Sequence, residues 1–146
     1  MSKYIVALIF SVLITGCTSS SSLSGRSSAT PVNFSTLYLR GVFNWWEALP
    51  AYKFTPLDDS QWTVDVELIA DGQPYDFRLS DENWTPSQSC GAVIKSQPVI
   101  LGTQSVLTCK QSSQNLQFTP TVTGFYRFQI SQPKSGEVLL TVSRIR

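Results

Sequence analysis

Residues that could carry catalysis are scarce in this sequence. The 146-residue chain contains no histidine, which removes the usual general base near neutral pH and the commonest metal ligand. Two pairs of adjacent carboxylates, Asp58–Asp59 and Asp81–Glu82, occur in turn-like contexts. Neighbouring side chains of extended backbone point apart, so each pair is a poor acid–base partnership. We therefore interpret them as solvated turn residues and expect a protein that is not an enzyme, with no catalytic residue, no metal and no cofactor.

The first of three cysteines follows a segment typical of export. A lone Lys3, a short apolar run at 4–13 and small residues before Cys17 make up the pattern of a secretory signal. The apolar run is about half as long as a membrane-spanning helix requires. The stretch Ile14–Cys17 resembles the lipobox of a bacterial lipoprotein signal. The resemblance implies that residues 1–16 are removed and that Cys17 carries the lipid. An ordinary cleaved signal with a chance cysteine is the alternative.

A lipid anchor would bind the protein to a membrane, since each buried methylene contributes about 0.8 kcal/mol and several chains act together. Thr18 stands where the best-known inner-membrane retention signal of enteric bacteria places an aspartate. We therefore predict an outer-membrane location, on either the periplasmic or the surface face. Residues 18–30 hold seven serines, one glycine and one charge, a composition that stays disordered. The range 17–33 is thus predicted to be a lipidated, Ser-rich tether.

Cys90 and Cys109 remain once Cys17 is lipidated. In an exported chain an oxidising compartment favours a disulfide between them. The bridge would close a loop of about twenty residues and stabilise the fold by roughly 3 kcal/mol. Two free thiols or a metal pair are the alternatives, although two cysteines without histidine make a poor metal site. We predict the disulfide.

Length and charge limit the number of domains and the kinds of partner that the rest of the chain can have. Removing the first 16 of 146 residues leaves 130, which is enough for one domain, and we place that domain at 34–146. Lys and Arg total 11 and Asp and Glu total 10, and no basic run occurs. Nucleic acid is therefore not an expected partner.

The domain shows the period-two alternation of strands with one buried face. Alternation runs through five segments: 37–43, 62–68, 75–79, 126–130 and 138–142. Weaker strand candidates are 98–101, 106–109 and 116–118. No segment has a helical period. Seven or eight short strands separated by turns predict an all-β fold, an antiparallel immunoglobulin-like sandwich.

One tyrosine has a position that suggests a local role. Tyr126 stands two residues after Gly124 at the start of a predicted strand. This spacing fits a tyrosine corner, in which the hydroxyl bonds to upstream backbone. An ordinary core tyrosine fits equally well.

Two aromatic stretches, joined by the predicted strand at 62–68, resemble a known family. The segment Gly41–Trp46 reads Gly-Val-Phe-Asn-Trp-Trp, and Phe77–Arg78 precedes Asp81 and Trp84. Together they are similar to the early-set, starch-binding-type module that precedes the catalytic domain of pullulanases. The likeness extends through the closing strands and covers about 110 residues. It departs from the family in an arginine for lysine at Arg78, a tryptophan for a small residue at Trp45, and the cysteine pair.

The resemblance implies a sugar site. Members that bind sugar stack a glucan on two tryptophans beside a basic side chain, and by position these are Trp46, Trp84 and Arg78. Trp45 would add a stacking surface or block the site. Many members bind no sugar, and Trp46 and Trp84 would then simply pack. Trp62 begins an inward-facing series and is expected in the core.

We therefore expect a non-catalytic envelope lipoprotein that binds a glycan, with an α-glucan as candidate. The alternative is a protein-interaction or assembly lipoprotein, an accessory part of a secretion or surface machine, that uses the same sandwich as scaffold. The partners expected are a glycan or an envelope protein, and a membrane through the lipid anchor. No oligomeric state is predicted.

Overall fold

The computed structural model describes residues 30–133 and 137–146. The signal, Cys17 and residues 18–29 of the predicted tether lie outside these ranges. Ten strands occur in the described residues: β1 (Tyr38–Gly41), β2 (Thr55–Pro56), β3 (Gln61–Leu68), β4 (Tyr75–Ser80), β5 (Cys90–Gly91), β6 (Gln97–Pro98), β7 (Ser105–Cys109), β8 (Leu116–Phe118), β9 (Gly124–Ser131) and β10 (Val138–Arg144). Four single-turn 3₁₀ helices accompany them: Phe34–Thr36, Val42–Asn44, Pro50–Tyr52 and Pro86–Gln88.

The strands form two layers. One layer has the order β2–β3–β9–β10, and the other contains β1, β4, β8 and β6, with β5 also paired to β4. Strand β7 connects them, because its first residues pair with β10 and its last with β5. The predicted antiparallel immunoglobulin-like sandwich is confirmed, with one parallel pair, β6–β8.

The number of strands differs from the prediction for a simple reason. Seven described strands have three or more residues, and β2, β5 and β6 have two each. A two-residue strand is too short to show a period of two, so β2 and β5 left no signal in the sequence. The predicted strand at 98–101 contributes only Pro98. Strand β1 ends at Gly41, because Val42–Asn44 turns into a 3₁₀ helix.

The core lies between the layers. The fully buried side chains of greatest volume are Tyr126, Phe54, Phe77, Phe128, Leu37 and Leu39. Phe77 of one layer meets Phe128 of the other edge-to-face at 5.2 Å between ring centroids, a favoured aromatic geometry. Val32 packs against this core, so contacts with the fold begin before the first 3₁₀ helix.

The cysteine pair lies where the two layers join. Cys90 and Cys109 face each other across β5 and β7 and form a disulfide with an S–S length of 2.03 Å. The predicted disulfide is confirmed. It covalently joins β5, which pairs with β4, to the strand that crosses from one layer to the other.

The tyrosine corner is also confirmed. The hydroxyl of Tyr126 donates a hydrogen bond to the carbonyl of Val122, four residues upstream. The ring is buried and packs edge-to-face on Phe118 at 5.2 Å. The bond therefore pins the turn before β9 to the core.

Replacing Tyr126 by Phe should lower the free energy of unfolding by about 1 kcal/mol, the usual net contribution of one hydrogen bond. The ring and its packing are kept, so the change isolates the hydroxyl. Urea denaturation followed by far-ultraviolet circular dichroism measures it.

Tyr52→Phe is the matched control. The Tyr52 ring stacks on Phe43 at 5.4 Å, and no hydrogen bond of its hydroxyl occurs among the described residues. This variant should be as stable as the wild type. Equal stabilities of all three proteins would show that the corner contributes nothing.

Candidate functional site

The first part of the site is the tight turn that follows β1. The buried side chain of Asn44 accepts a hydrogen bond from the Gly41 amide and donates one to the Leu39 carbonyl, both at 2.9 Å. The amide of Trp46 then donates to the Gly41 carbonyl, also at 2.9 Å. Glycine is required here, because a Cβ at residue 41 would lie 2.6 Å from the Asp76 carbonyl oxygen. The Gly-Val-Phe-Asn sequence thus builds a closed turn that projects two consecutive indoles.

Three of the four tryptophans adopt left-handed backbone. Trp45, Trp46 and Trp84 have φ angles of 55°, 61° and 56°. Among the described residues one other non-glycine residue, Ser96, has positive φ. Such a conformation costs roughly 1–2 kcal/mol per residue and is a genuine outlier for a bulky side chain. Strain of this kind concentrates at functional sites.

The second part of the site is the loop that follows β4. One carboxylate oxygen of Asp81 accepts a hydrogen bond from the Thr85 amide at 2.8 Å. This bond closes the loop that carries Trp84. The loop thereby brings the Trp84 ring to 6.4 Å from the Trp46 ring, with 42° between the ring planes.

A buried arginine joins the two turns. Arg40 in β1 is only 7% exposed. Its Nε donates to the Trp46 carbonyl at 2.6 Å, and its Nη1 donates to the carbonyls of Asp81 and Glu82 at 2.8 and 3.1 Å. Its Cζ lies 4.0 Å from the centroid of the Trp84 ring, which is a cation–π contact.

The guanidinium of Arg40 is surrounded by polar groups and is shielded from solvent. Burial lowers the pKa of Arg40, and the charges of Asp81, Glu47 and Glu82 act in the opposite direction. The guanidinium remains charged, since an arginine pKa starts far above neutrality. Sequence reasoning missed this residue, because period-two alternation placed Arg40 on the outer face of β1. Burial arises only when the two loops fold over that face.

Arg78 lies directly across from Arg40 in the pairing of β1 with β4. Its Cζ is 5.6 Å from the Trp84 centroid, and its Nη2 donates to the hydroxyl of Ser113. Its Nε is buried without a hydrogen-bond partner, and burial lowers its pKa. Gly91 leaves room for it, because a Cβ there would stand 3.3 Å from that nitrogen.

The structure therefore brings together three residues singled out by the sequence: Trp46, Trp84 and Arg78. Both rings are half-buried, so they are neither core residues nor a flat, coplanar platform. Trp45 is 86% exposed and makes no ring contact with another described aromatic. The cluster offers two inclined indole faces, a separate projecting indole and guanidinium donors. Aromatic faces of this kind pack on apolar C–H surfaces, and guanidinium groups bind hydroxyls or anions.

Other sequence candidates lie elsewhere. Trp62 is half-buried in β3, where it packs against the core and pairs with Ile130 of β9. Asp58 accepts hydrogen bonds from the amides of Ser60 and Gln61, and the bond from Ser60 lowers its pKa. It therefore organises a turn. Within 30–133 and 137–146, no group of three His, Cys, Asp or Glu side chains could hold a metal ion. Over the same ranges, no helix is both long and apolar enough to cross a membrane.

Comparison with known proteins gives a similarity in structure and none in sequence families. No protein-family model and no curated protein sequence matches this chain. A solved structure described as "Ligand induced structure of AmyP-SBD", a starch-binding domain, is similar with a TM-score of 0.58. The sequences are 18% identical, and the match covers 97% of each chain. The similarity establishes the fold, a β-sandwich like that of this domain.

Replacing Arg40 by Met should lower the free energy of unfolding by about 2–3 kcal/mol, because three carbonyls lose their charged donor while the chain volume is nearly kept. The two turns should also separate, which would weaken the near-ultraviolet circular dichroism of the tryptophans. The free energy of unfolding of Arg40→Lys should lie between those of the wild type and Arg40→Met, since an ammonium keeps the charge but lacks the planar fork of donors.

Arg144→Met is the matched control, because Arg144 is an exposed arginine at the end of β10. It should leave both measurements unchanged. An Arg40→Met protein with wild-type stability and an unaltered near-ultraviolet spectrum would refute the role of Arg40 as the link between the turns.

Proposed function

We propose that this protein is a non-catalytic envelope lipoprotein that binds a glycan, with an α-glucan as the candidate ligand. The binding residues are Trp45, Trp46, Arg78 and Trp84. The observation that carries the proposal is that three tryptophans with left-handed backbone lie in two turns joined by one buried arginine, which bonds to the Trp46 carbonyl and contacts the Trp84 ring. A sandwich that only packs its tryptophans has no need of three strained backbones at one end.

The geometry suits a curved saccharide. Sugar rings present apolar C–H faces that pack on indoles, and a guanidinium donates paired hydrogen bonds to neighbouring hydroxyls. Successive residues of an α-1,4-linked glucan turn relative to one another, so their faces are not coplanar. Two indoles inclined by 42° at 6.4 Å match such a chain better than a flat crystalline polymer.

The exposure of Trp45 separates binding from packing. An indole that is 86% exposed contributes little to the core, and its position next to Trp46 leaves its aromatic face free to contact a ligand. The fold of the starch-binding domain noted above supports the same class of ligand. We assign the chain, on its motifs, to the early-set modules similar to those of pullulanases.

The lipobox-like segment Ile14–Cys17 supports a lipid anchor on Cys17, with residues 1–16 removed. Thr18 in place of aspartate favours the outer membrane. A Ser-rich tether at 17–33 would then hold the domain 34–146 clear of the lipid headgroups, at a root-mean-square distance of about 20 Å. In this position the domain would retain glycan at the cell envelope.

A second candidate function is protein interaction in the envelope. It is favoured by exposed apolar side chains in the segment between β5 and β7: Val93, Ile94, Ile100 and Leu101 are 70%, 62%, 59% and 46% exposed. Such side chains are suited to contact with another protein. They lie outside the tryptophan cluster, so the two functions are separable by mutation.

Replacing Trp45 by Ala should weaken glucan binding about tenfold or more, because stacking on one aromatic ring is worth roughly 1–3 kcal/mol by analogy with bases. The melting temperature should not fall, since the side chain is exposed and the strained φ is relieved in part. Trp84→Ala should abolish binding and also lower the melting temperature. Gel electrophoresis in the presence of soluble starch, paired with thermal melting, measures both.

Ile94→Ala is the control, an exposed apolar side chain removed from a different loop. It should leave glucan retardation at the wild-type level. Migration of the wild type that starch does not retard would count against glucan binding and favour the second candidate function.

Replacing Cys17 by Ser should move the protein from the membrane fraction to the soluble fraction and abolish labelling with palmitate, because the lipid has no thiol to attach to. Cys90 and Cys109 form the disulfide and do not compete for the label. A Cys17→Ser protein that still pellets with membranes and carries palmitate would refute the lipid anchor.

A further inference from the structure

Two arginines occupy one cross-strand pair beneath the tryptophan cluster. Arg40 and Arg78 are direct partners in the register of β1 and β4, and the Trp84 ring lies against both guanidinium groups, at 4.0 and 5.6 Å. Like charges directly opposite one another destabilise a sheet. Two adjacent cations that are wholly or partly buried need hydrogen-bond acceptors or negative charges beside them. The surroundings of Arg40 and of Arg78 differ sharply in this respect.

Arg40 is compensated within the protein. It donates to three backbone carbonyls. Three carboxylates, those of Asp81, Glu47 and Glu82, also favour its charged form. The two turns that Arg40 joins therefore supply acceptors for its Nε and Nη1 and carboxylates that partly offset its burial.

Arg78 is not compensated. Its side-chain bond goes to a neutral hydroxyl, that of Ser113, and its Nε is buried without an acceptor. Burial lowers its pKa and no carboxylate counteracts the effect. In the part of the chain that the structure describes, the salt bridge is Arg127–Asp65. Arg78 is thus a half-buried cation without an anion.

The nearest carboxylate along β4 does not act as the anion for Arg78. Asp76 lies two residues before Arg78 and therefore on the same face of the strand. Its Oδ1 is buried without a hydrogen-bond partner, and it forms no ion pair with Arg78 within the described residues. Both groups remain unpaired although the backbone brings them close.

We propose that the site recognises a glycan bearing an anionic substituent, a carboxylate or a phosphate, which pairs with Arg78. The proposal rests on the proposed function and names its ligand class more narrowly. Arginine carries five N–H donors, and the bond to Ser113 uses one on Nη2, so Nη1 and the second Nη2 hydrogen remain for the ligand. Neutral hydroxyls would satisfy these donors but leave the charge uncompensated. A carboxylate or phosphate does both, while the sugar ring packs on Trp46 and Trp84.

The test compares soluble glucans with one backbone and three states of charge. The probes are neutral maltooligosaccharide, the same chain oxidised at C6 to carry carboxylates, and the same chain phosphorylated at C6. Binding to the full-length protein in detergent is measured by isothermal titration calorimetry. We expect at least one charged chain to bind about tenfold more tightly than the neutral chain, because a charge-assisted bond exceeds a neutral one by about that factor. The charged chain that binds more tightly identifies the substituent. Its affinity advantage over the neutral chain should shrink as the salt concentration is raised.

Arg78→Gln should bind all three chains more weakly and should lose the preference for the charged ones. Its fold should survive, since the substitution removes an unpaired, half-buried charge. Arg144→Gln removes an exposed charge on β10 and should keep both the affinities and the preference of the wild type.

Equal or weaker binding of both charged chains by the wild type would overturn the inference and leave glycan binding intact. The same loss of preference in Arg144→Gln as in Arg78→Gln would also overturn it, because attraction would then come from overall charge. Failure of the wild type to bind any of the three chains would refute the proposed function and this inference with it. The wild-type comparison decides the matter even if Arg78→Gln fails to fold.

Discussion

The aromatic cluster depends on the buried guanidinium of Arg40, which binds the backbone of two turns, one beside it at Trp46 and one 41 residues further along the chain at Asp81. A planar group with several donors can reach the Trp46 carbonyl on one side and the carbonyls of Asp81 and Glu82 on the other. No apolar side chain can do this, and an ammonium lacks the fork. The position of Trp84 against Trp46 follows from these bonds. Removing the guanidinium would leave each turn to adopt its own conformation.

The rest of the sandwich supplies the rigidity that this arrangement requires. Left-handed backbone at three tryptophans is tolerated only where the surroundings over-determine it. Phe77 and Phe128 close the core beneath the cluster, and the disulfide between Cys90 and Cys109 ties the strand beside β4 to the crossing strand. Stability in the body of the domain thus offsets strain at its end.

The same constraint shapes the surface offered to a ligand. The loop that covers Arg40 also carries Trp84 to 5.6 Å from the cross-strand partner Arg78, which is half-buried and has no anion beside it among the described residues. The inclined pair of Trp46 and Trp84 and this cation lie in contact, and the exposed indole of Trp45 projects from the same turn as Trp46. Their combination of apolar faces and charged donors is suited to a saccharide, and in our proposal the uncompensated charge of Arg78 favours saccharides that carry an anionic substituent.

Local pattern predicted the strands and the sandwich, because alternation is a property of neighbouring positions. The export signal and the two remaining cysteines predicted the disulfide, and the glycine two residues before Tyr126 fitted a corner as well as it fitted an ordinary core tyrosine. The resemblance carried by the motifs around Trp46 and Trp84 named Trp46, Trp84 and Arg78, which lie together, and also Trp45, which stands apart from them. Pattern did not predict the burial of Arg40, the 42° inclination of the rings or the short strands β2 and β5. These depend on how loops distant in sequence cover a strand, and a polar residue on an alternating strand gives no sign of what will fold over it. Tertiary structure alone decided that an arginine, rather than an apolar residue, lies at the centre of the site.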